Sequence, residues 1–322
     1  MTAAIATRIA TAFVTLLVVT LLVFALTSAL PGDAIDDEAP RALPPEFHAA
    51  LRAQYHLDEP VPVRYGRWLT DLGRGDLGTS LSTGQPVSEL LRDRLPVSLA
   101  LNACALAILV GIALPLGILG AWKPGGAWDR LGLGATTVLY AVPVFWSALL
   151  LQWAFGVRLR WLPLSGIATD GAVHAGALAS AADTLRHLVL PAVCLAGGGL
   201  AYVSRFVRAS LVETSSGDGG RAARARGLST LEYLRRHGLR QASVPLLTLA
   251  GFLIPRLVGG SLLIEEIFGV PGLGSLMFKS ILGRDVPVVL ALTLVSGMAA
   301  LVGTAAADLL IAWVDPRVRR AA

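Results

Sequence analysis

The chain has 322 residues, of which 54% are hydrophobic and only 15% charged, an apolar excess that excludes an ordinary soluble domain. Its net charge is +5, and of 27 basic residues only Lys123 and Lys279 are lysines, so its basic character is carried by guanidinium groups. Cys104 and Cys194 fall inside apolar runs and read as small buried hydrophobes, and the five histidines form no cluster at metal-ligand spacing.

A bilayer core about 30 Å thick needs about 20 apolar residues in a helix. Charge-free runs occur at 9–32, 95–122, 131–157, 188–204 and 286–307, and a sixth at 241–264 is broken only by Arg256. The run at 188–204 is short but can lengthen through His187 and Arg205, whose side chains can snorkel. Six membrane helices are the simplest count. Arg8 and Thr27-Ser28-Ala29 offer an alternative, a cleaved signal peptide, but the first run exceeds the roughly 7–15 residues of a signal core.

Six spans put both termini on one side. With the N terminus inside, the inner segments carry Arg8, Lys123, Arg130, eight arginines from Arg205 to Arg240, and Arg317, Arg319 and Arg320. The short outer loops carry Arg158, Arg160, Arg186, Lys279 and Arg284, and the long loop 33–94 is translocated largely regardless of its arginines. The asymmetry predicts cytoplasmic termini.

The loop after the first span reads as a small structured region. Phe47, Leu51 and Tyr55 follow Pro45 at helical spacing, and Tyr65, Trp68, Leu69 and Leu72 follow Pro62. Val87, Leu90, Leu91 and Leu95 follow Pro86. Three short amphipathic helices at the outer membrane surface are predicted. Tyr65, Trp68 and Leu72 are candidates for contact with a partner outside the membrane; the alternative is that these apolar faces only cover the membrane helices. The chain thus divides into 1–95, a first span plus outer helical region; 96–316, a core of five spans with an inner loop at 212–243; and a basic tail at 317–322.

The inner loop carries the most explicit local signals. Arg221-Ala222-Ala223-Arg224-Ala225-Arg226 permits a helix, which Gly227 stops. Ser229 can cap a second helix, with Glu232 reaching back to the Ser229 amide and Leu228 stapled to Tyr233, before the chain runs into the fifth span. The alanines allow another surface to approach the backbone, and the arginines offer planar contacts to carboxylates. The plain alternative is a loop that is basic only because inner loops are.

Spacing here resembles the permeases of binding-protein-dependent ATP-binding-cassette importers, whose inner loop has Glu-Ala-Ala, three residues, then Gly. Arg221-Ala222-Ala223 and Gly227 take those positions, the leading Arg being similar to the dipeptide/oligopeptide/nickel branch. Arg236-His237-Gly238-Leu239-Arg240-Gln241-Ala242 resembles that branch's next stretch. So do Leu30-Pro31-Gly32-Asp33, Arg74-Gly75-Asp76-Leu77-Gly78-Thr79-Ser80, Arg94-Leu95-Pro96, Ile267-Phe268-Gly269-Val270-Pro271-Gly272-Leu273-Gly274 and Asp315-Pro316-Arg317, in that order along the chain.

The resemblance implies an all-α membrane protein of the type I importer permease fold in a bacterial cytoplasmic membrane. It also implies a homologous second permease, two ATPase subunits that bind ATP and Mg, an extracytoplasmic substrate-binding protein, surrounding lipid, and no nucleic acid. Arg221, Ala222, Ala223, Arg224, Ala225, Arg226, Gly227, His237 and Arg240 would dock on the ATPase. This chain has no motor of its own, because neither Lys123 nor Lys279 lies in the Gly-Lys-Ser/Thr of a phosphate-binding loop. No cofactor and no catalytic set is expected in it.

Charges at membrane depth are usually functional. Arg256 either lines the path and meets a substrate carboxylate or pairs with Asp308, or with Glu265 or Glu266 of a neighbour. Glu265 and Glu266 either gate the path and meet the binding protein or simply end a helix at the interface. Gly197-Gly198-Gly199 permits close helix contact, and Pro115, Pro143 and Pro191 kink the spans. The leading expectation is import of short peptides. Nickel or another small solute is the nearest rival, and a self-sufficient secondary carrier or a membrane scaffold the more distant ones.

Overall fold

The structure, a computed structural model, describes residues 2–29, 58–169, 171, 176–238 and 261–314. The helices in chain order are α1 (Thr2–Ala29), α2 (Val61–Gly73), α3 (Val87–Trp122), α4 (Ala127–Ala141), α5 (Val144–Leu151), α6 (Ala177–Ser216), α7 (Asp218–Ala225), α8 (Thr230–Tyr233), α9 (Leu262–Ile267), α10 (Leu273–Leu282) and α11 (Val286–Val314). Wide π-helical turns follow α5 at Gln152–Arg158 and α8 at Leu234–Gly238. Among the described residues the nearest thing to a strand is one isolated bridge between Thr79 and Pro86.

Four of these helices are long and apolar enough to cross a membrane, and five spans result if α4 and the segment after it count as one broken span. The run expected at 241–264 lies almost wholly outside the described residues. Inside α1 the hydroxyls of Thr11, Thr15, Thr20 and Thr27 donate to carbonyls four residues back, at 2.8–3.0 Å. That bond keeps polar side chains satisfied where no water can reach.

Two expectations change. The amphipathic helix starting after Pro86 does not stop before the second span: both are one 36-residue helix, α3. Pro96 removes a single N–H, which a membrane helix tolerates. The third span, in contrast, is not merely kinked at Pro143 but turned by 99° between its halves. The residue before a proline is driven out of the helical region, and Val142 is extended, with φ −83° and ψ 127°. The thiol of Cys194 donates to the Val144 carbonyl beside this break at 3.3 Å.

Contacts divide the chain into two compact units, the first of residues Met1–Ser98, Val258–Leu262 and Pro271–Leu301, the second of Leu99–Leu257, Leu263–Val270 and Val302–Ala322. In the first, Val87, Leu90 and Leu91 of α3 pack with Leu273 and Leu276 of α10 and with Val288, Ala291 and Leu292 of α11. Helix α10 lies in one of the short outer loops the sequence predicts. Its N-cap is Gly272, which has no side chain to offer, and the Ser98 hydroxyl substitutes by accepting the Leu273 N–H at 2.7 Å. In the second unit, Leu109, Ala113 and Ala121 of α3 form a core with Ala196, Leu200, Val203, Val207 and Leu211 of α6.

Helix α6 is 40 residues long and carries Pro191 within it. Of the glycine triplet, only Gly199 meets a neighbour: a Cβ there would lie 3.1 Å from Leu109. A tighter contact in the same α3–α6 approach is at Gly117 of α3, where a Cβ would come within 2.5 Å of Val207, a glycine the sequence did not single out.

Candidate functional site

The inner-loop segment folds as a short helix, a glycine turn and a second helical start, all fastened to the end of α6. Helix α7 ends in a Schellman arrangement, with Leu228 N–H donating to the Ala223 carbonyl at 3.1 Å and Gly227 N–H to the Arg224 carbonyl at 2.9 Å. Gly227 has φ +86°, the left-handed conformation this turn requires. The Ser229 hydroxyl then accepts the Glu232 N–H at 3.3 Å, which caps α8 as expected. The Glu232 carboxylate does not serve as the other half of a capping box. It pairs with Arg236 at 2.9 Å, one helical turn on.

This knuckle is locked down from below. Tyr233 is buried and donates its hydroxyl to the Thr214 carbonyl at 3.3 Å, and Arg224 donates to the Ser215 carbonyl at 2.8 Å. Gly220 lies so close to α6 that a Cβ would sit 1.9 Å from the Ser215 oxygen. Ala223 is buried, while Arg221, Ala222, Ala225, Arg226 and Gly227 are exposed. Arg221 holds the fully exposed Asp218 at 2.5 Å. His237 is exposed and its ring lies tilted against Tyr233, at 5.8 Å between centroids. Arg240 lies outside the described residues. The second helix begins as a single α turn, Thr230–Tyr233, and passes directly into the π turn Leu234–Gly238, and its expected run into the fifth span lies outside the described residues.

At the other end of the chain's polar regions, Tyr65 is buried rather than presented to a partner. It packs on Phe24, donates its hydroxyl to the Leu17 carbonyl at 3.1 Å and lies 3.0 Å from the Thr20 hydroxyl. Trp68 stacks on Tyr65 and is half-buried, as is Leu72. Tyr65 and Trp68 thus lie against the membrane helix α1, with Trp68 and Leu72 still partly exposed. The indole N–H of Trp68 is buried with no acceptor among the described residues.

The motif at 74–80 builds a tight loop in which Gly75 and Gly78 take positive φ. Its end closes on a residue the sequence reading did not single out. Buried Asp285 accepts the Ser80 hydroxyl at 2.5 Å and the N–H groups of Leu81 and Ser82 at 3.1 and 3.3 Å. No sequence signal short of the fold could join them.

Glu265 is completely buried, with its carbonyl accepting the Val270 N–H at 2.8 Å in the turn that carries Phe268 and Gly269. That places it inside protein packing and not on a surface open to a docking protein. Glu266 is half-buried and its carbonyl accepts the Gly269 N–H at 3.2 Å. Arg256 lies outside the described residues, as does the Asp308 side chain.

A second missed residue is Asp129, 4% exposed in the first turn of α4. Arg208 of α6 grips it with both ends of the guanidinium, at 2.6 and 2.7 Å. Farther along α4, Arg205 donates to the Thr137 hydroxyl.

Comparison with known proteins places the chain among transporters. Residues 113–320 match the model of the binding-protein-dependent transport system inner membrane component family, and residues 1–102 match that of its N-terminal region. The chain is 36% identical over 303 residues to the oligopeptide transport system permease protein AppB of Bacillus subtilis (strain 168), covering 92% of each chain. It is 35% identical over 297 residues to the "Probable peptide ABC transporter permease protein y4tP" of Sinorhizobium fredii (strain NBRC 101917 / NGR234), again covering 92% of each. Among solved structures it shares its fold with a chain of the inward-facing MetNI methionine ABC transporter in its CY5 native crystal form. That match has a TM-score of 0.55 and 18% identity and covers 71% of this chain and 97% of that one.

Proposed function

The chain belongs to the family of binding-protein-dependent transport system inner membrane components, and from that premise we propose that it is the permease subunit of an ATP-binding-cassette importer for short peptides. It forms half of the translocation path in a bacterial cytoplasmic membrane, with both termini in the cytoplasm. A homologous permease supplies the other half, a binding protein delivers cargo from outside, and two ATPase subunits bind ATP and Mg. Support for peptide cargo comes from relatives named as oligopeptide and peptide permeases that match over nine-tenths of the chain.

One observation carries the mechanical part: an exposed helix of small and arginine residues is hydrogen-bonded back onto the end of a 40-residue membrane helix. Exposed Ala222 and Ala225 leave room for a groove on the ATPase, and Arg221 and Arg226 meet carboxylates at its rim. Closure of the ATPases on ATP would push α7 and, through it, α6. The work is a rigid-body displacement between two states of the bundle, with no covalent chemistry here. Arg256 would face the path and meet a peptide carboxylate.

The test is uptake by the assembled complex in proteoliposomes supplied with binding protein. Short peptides should accumulate only with ATP inside, and Ala222→Trp should abolish ATPase capture by the permease pair. Peptide uptake indifferent to ATP, or a tryptophan at 222 that leaves the ATPase bound, would overturn the reading.

A further inference from the structure

The ion pair of Asp129 with Arg208 ties three helices together at one point. Asp129 Oδ1 accepts Arg208 Nε at 2.6 Å and Oδ2 accepts Nη2 at 2.7 Å. Oδ2 also accepts the Gly125 N–H at 2.7 Å, which fixes the turn between α3 and α4. Gly120 of α3 abuts the pair: a Cβ there would lie 2.9 Å from Asp129 Oδ1 and 3.2 Å from Arg208 Cδ. A side chain at 120 would crowd the carboxylate and guanidinium packed between α3, α4 and α6.

The position of the pair is as telling as its geometry. Arg208 precedes the end of α6 at Ser216 by about 12 Å of helix. From Ser216 the chain passes directly into α7, which Arg224 and Tyr233 bind back onto the α6 carbonyls of Ser215 and Thr214. A displacement of α7 therefore reaches Arg208 through one continuous rigid piece. Apolar contacts between α3 and α6 could slide past one another under load, whereas a two-pronged guanidinium–carboxylate contact fixes both distance and orientation.

We propose that Asp129 and Arg208 form the transmission clamp of the importer: they carry the displacement of the α7 knuckle from α6 into α3 and α4, so that the three helices move as one. Both are positioning residues, acting through the helices they join and touching neither ATP nor cargo. This rests on the importer reading above.

A clamp and a merely structural ion pair differ in what their loss does. Losing a structural pair lowers the amount of assembled complex. Losing the clamp leaves a complex whose ATPases still close and hydrolyse while the path moves poorly. The experiment compares wild type, Asp129→Asn, Arg208→Lys and the neutral pair Asp129→Asn with Arg208→Gln, each in the full complex in proteoliposomes. Assembly is read by size-exclusion chromatography, and binding-protein-stimulated ATP hydrolysis and peptide uptake by rate.

Asp129→Asn is expected to assemble and hydrolyse ATP but to import at least about fivefold less peptide per ATP, the low end of ordinary coupling energies. Arg208→Lys should fall between it and wild type, since a point charge keeps attraction but loses the fork. An unchanged peptide-to-ATP ratio in Asp129→Asn overturns the clamp. So does failure of all three variants to assemble, which assigns the pair to stability alone. Wild-type complex without ATP-driven uptake would instead sink the importer reading, and the clamp with it.

Discussion

Gly220 and Gly227 lie in one short segment but answer to different physics. Gly227 has φ +86° with open space around its missing Cβ, so Gly227→Ala adds only backbone strain, about 1–2 kcal/mol. Gly220 has no such strain, but a Cβ would strike the Ser215 oxygen at 1.9 Å, so Gly220→Ala must push α7 off α6. Gly227→Ala should lower the melting temperature of the purified complex modestly and keep its ATPase, while Gly220→Ala should lose ATPase on co-purification. Equal behaviour of the two would contradict the packing described. The role of Gly227 was legible because a glycine after a helix-permissive run announces a left-handed turn. Gly220 gave no such notice, since nothing local distinguishes it from Gly219. Ser229 was legible as a cap for the same local reason, but the Glu232 side chain had two partners within reach and took Arg236.

At the scale of elements, two contacts hold the outer region in place. Tyr65→Phe removes a hydroxyl bonded to Leu17 and should lower stability by about 1 kcal/mol, whereas Tyr65→Ala empties a buried aromatic site and should lower it by about 3–5 kcal/mol. Thermal unfolding of the purified complex separates the two. Asp285→Ala leaves the Ser80 hydroxyl and two backbone N–H groups without their acceptor and should reduce stability by about 1.5–3 kcal/mol. It should also make the 80–85 loop cleavable by added protease. The motif that ends in Ser80 stood out in the sequence, but its partner is 205 positions away, and no local pattern names a contact of that span. The 99° turn at Pro143 was only half legible: proline predicted a disturbance, and the extended Val142 before it made the disturbance a break.

At the scale of the whole molecule, composition and run length made the membrane helices legible, because burying about 20 apolar residues in lipid leaves little choice of structure. The join between α3 and its outer extension was not, since helical periodicity does not say where a helix crosses into the lipid. Orientation can be tested directly. In a chain freed of Cys104 and Cys194, a cysteine replacing Thr83 should react with an impermeant maleimide in intact cells, and one replacing Ser216 only after the membrane is opened. The reverse pattern would invert the proposed topology. The length of α6 has a last consequence. Its 40 residues span about 60 Å, twice the thickness of the hydrocarbon slab, so a rod stands well clear of the lipid at its ends. Under the proposed coupling, a shaft of that reach would behave as a lever: the stroke would be applied away from the membrane, and the fulcrum set along the shaft, not the size of the stroke, would fix how far the buried portion swings.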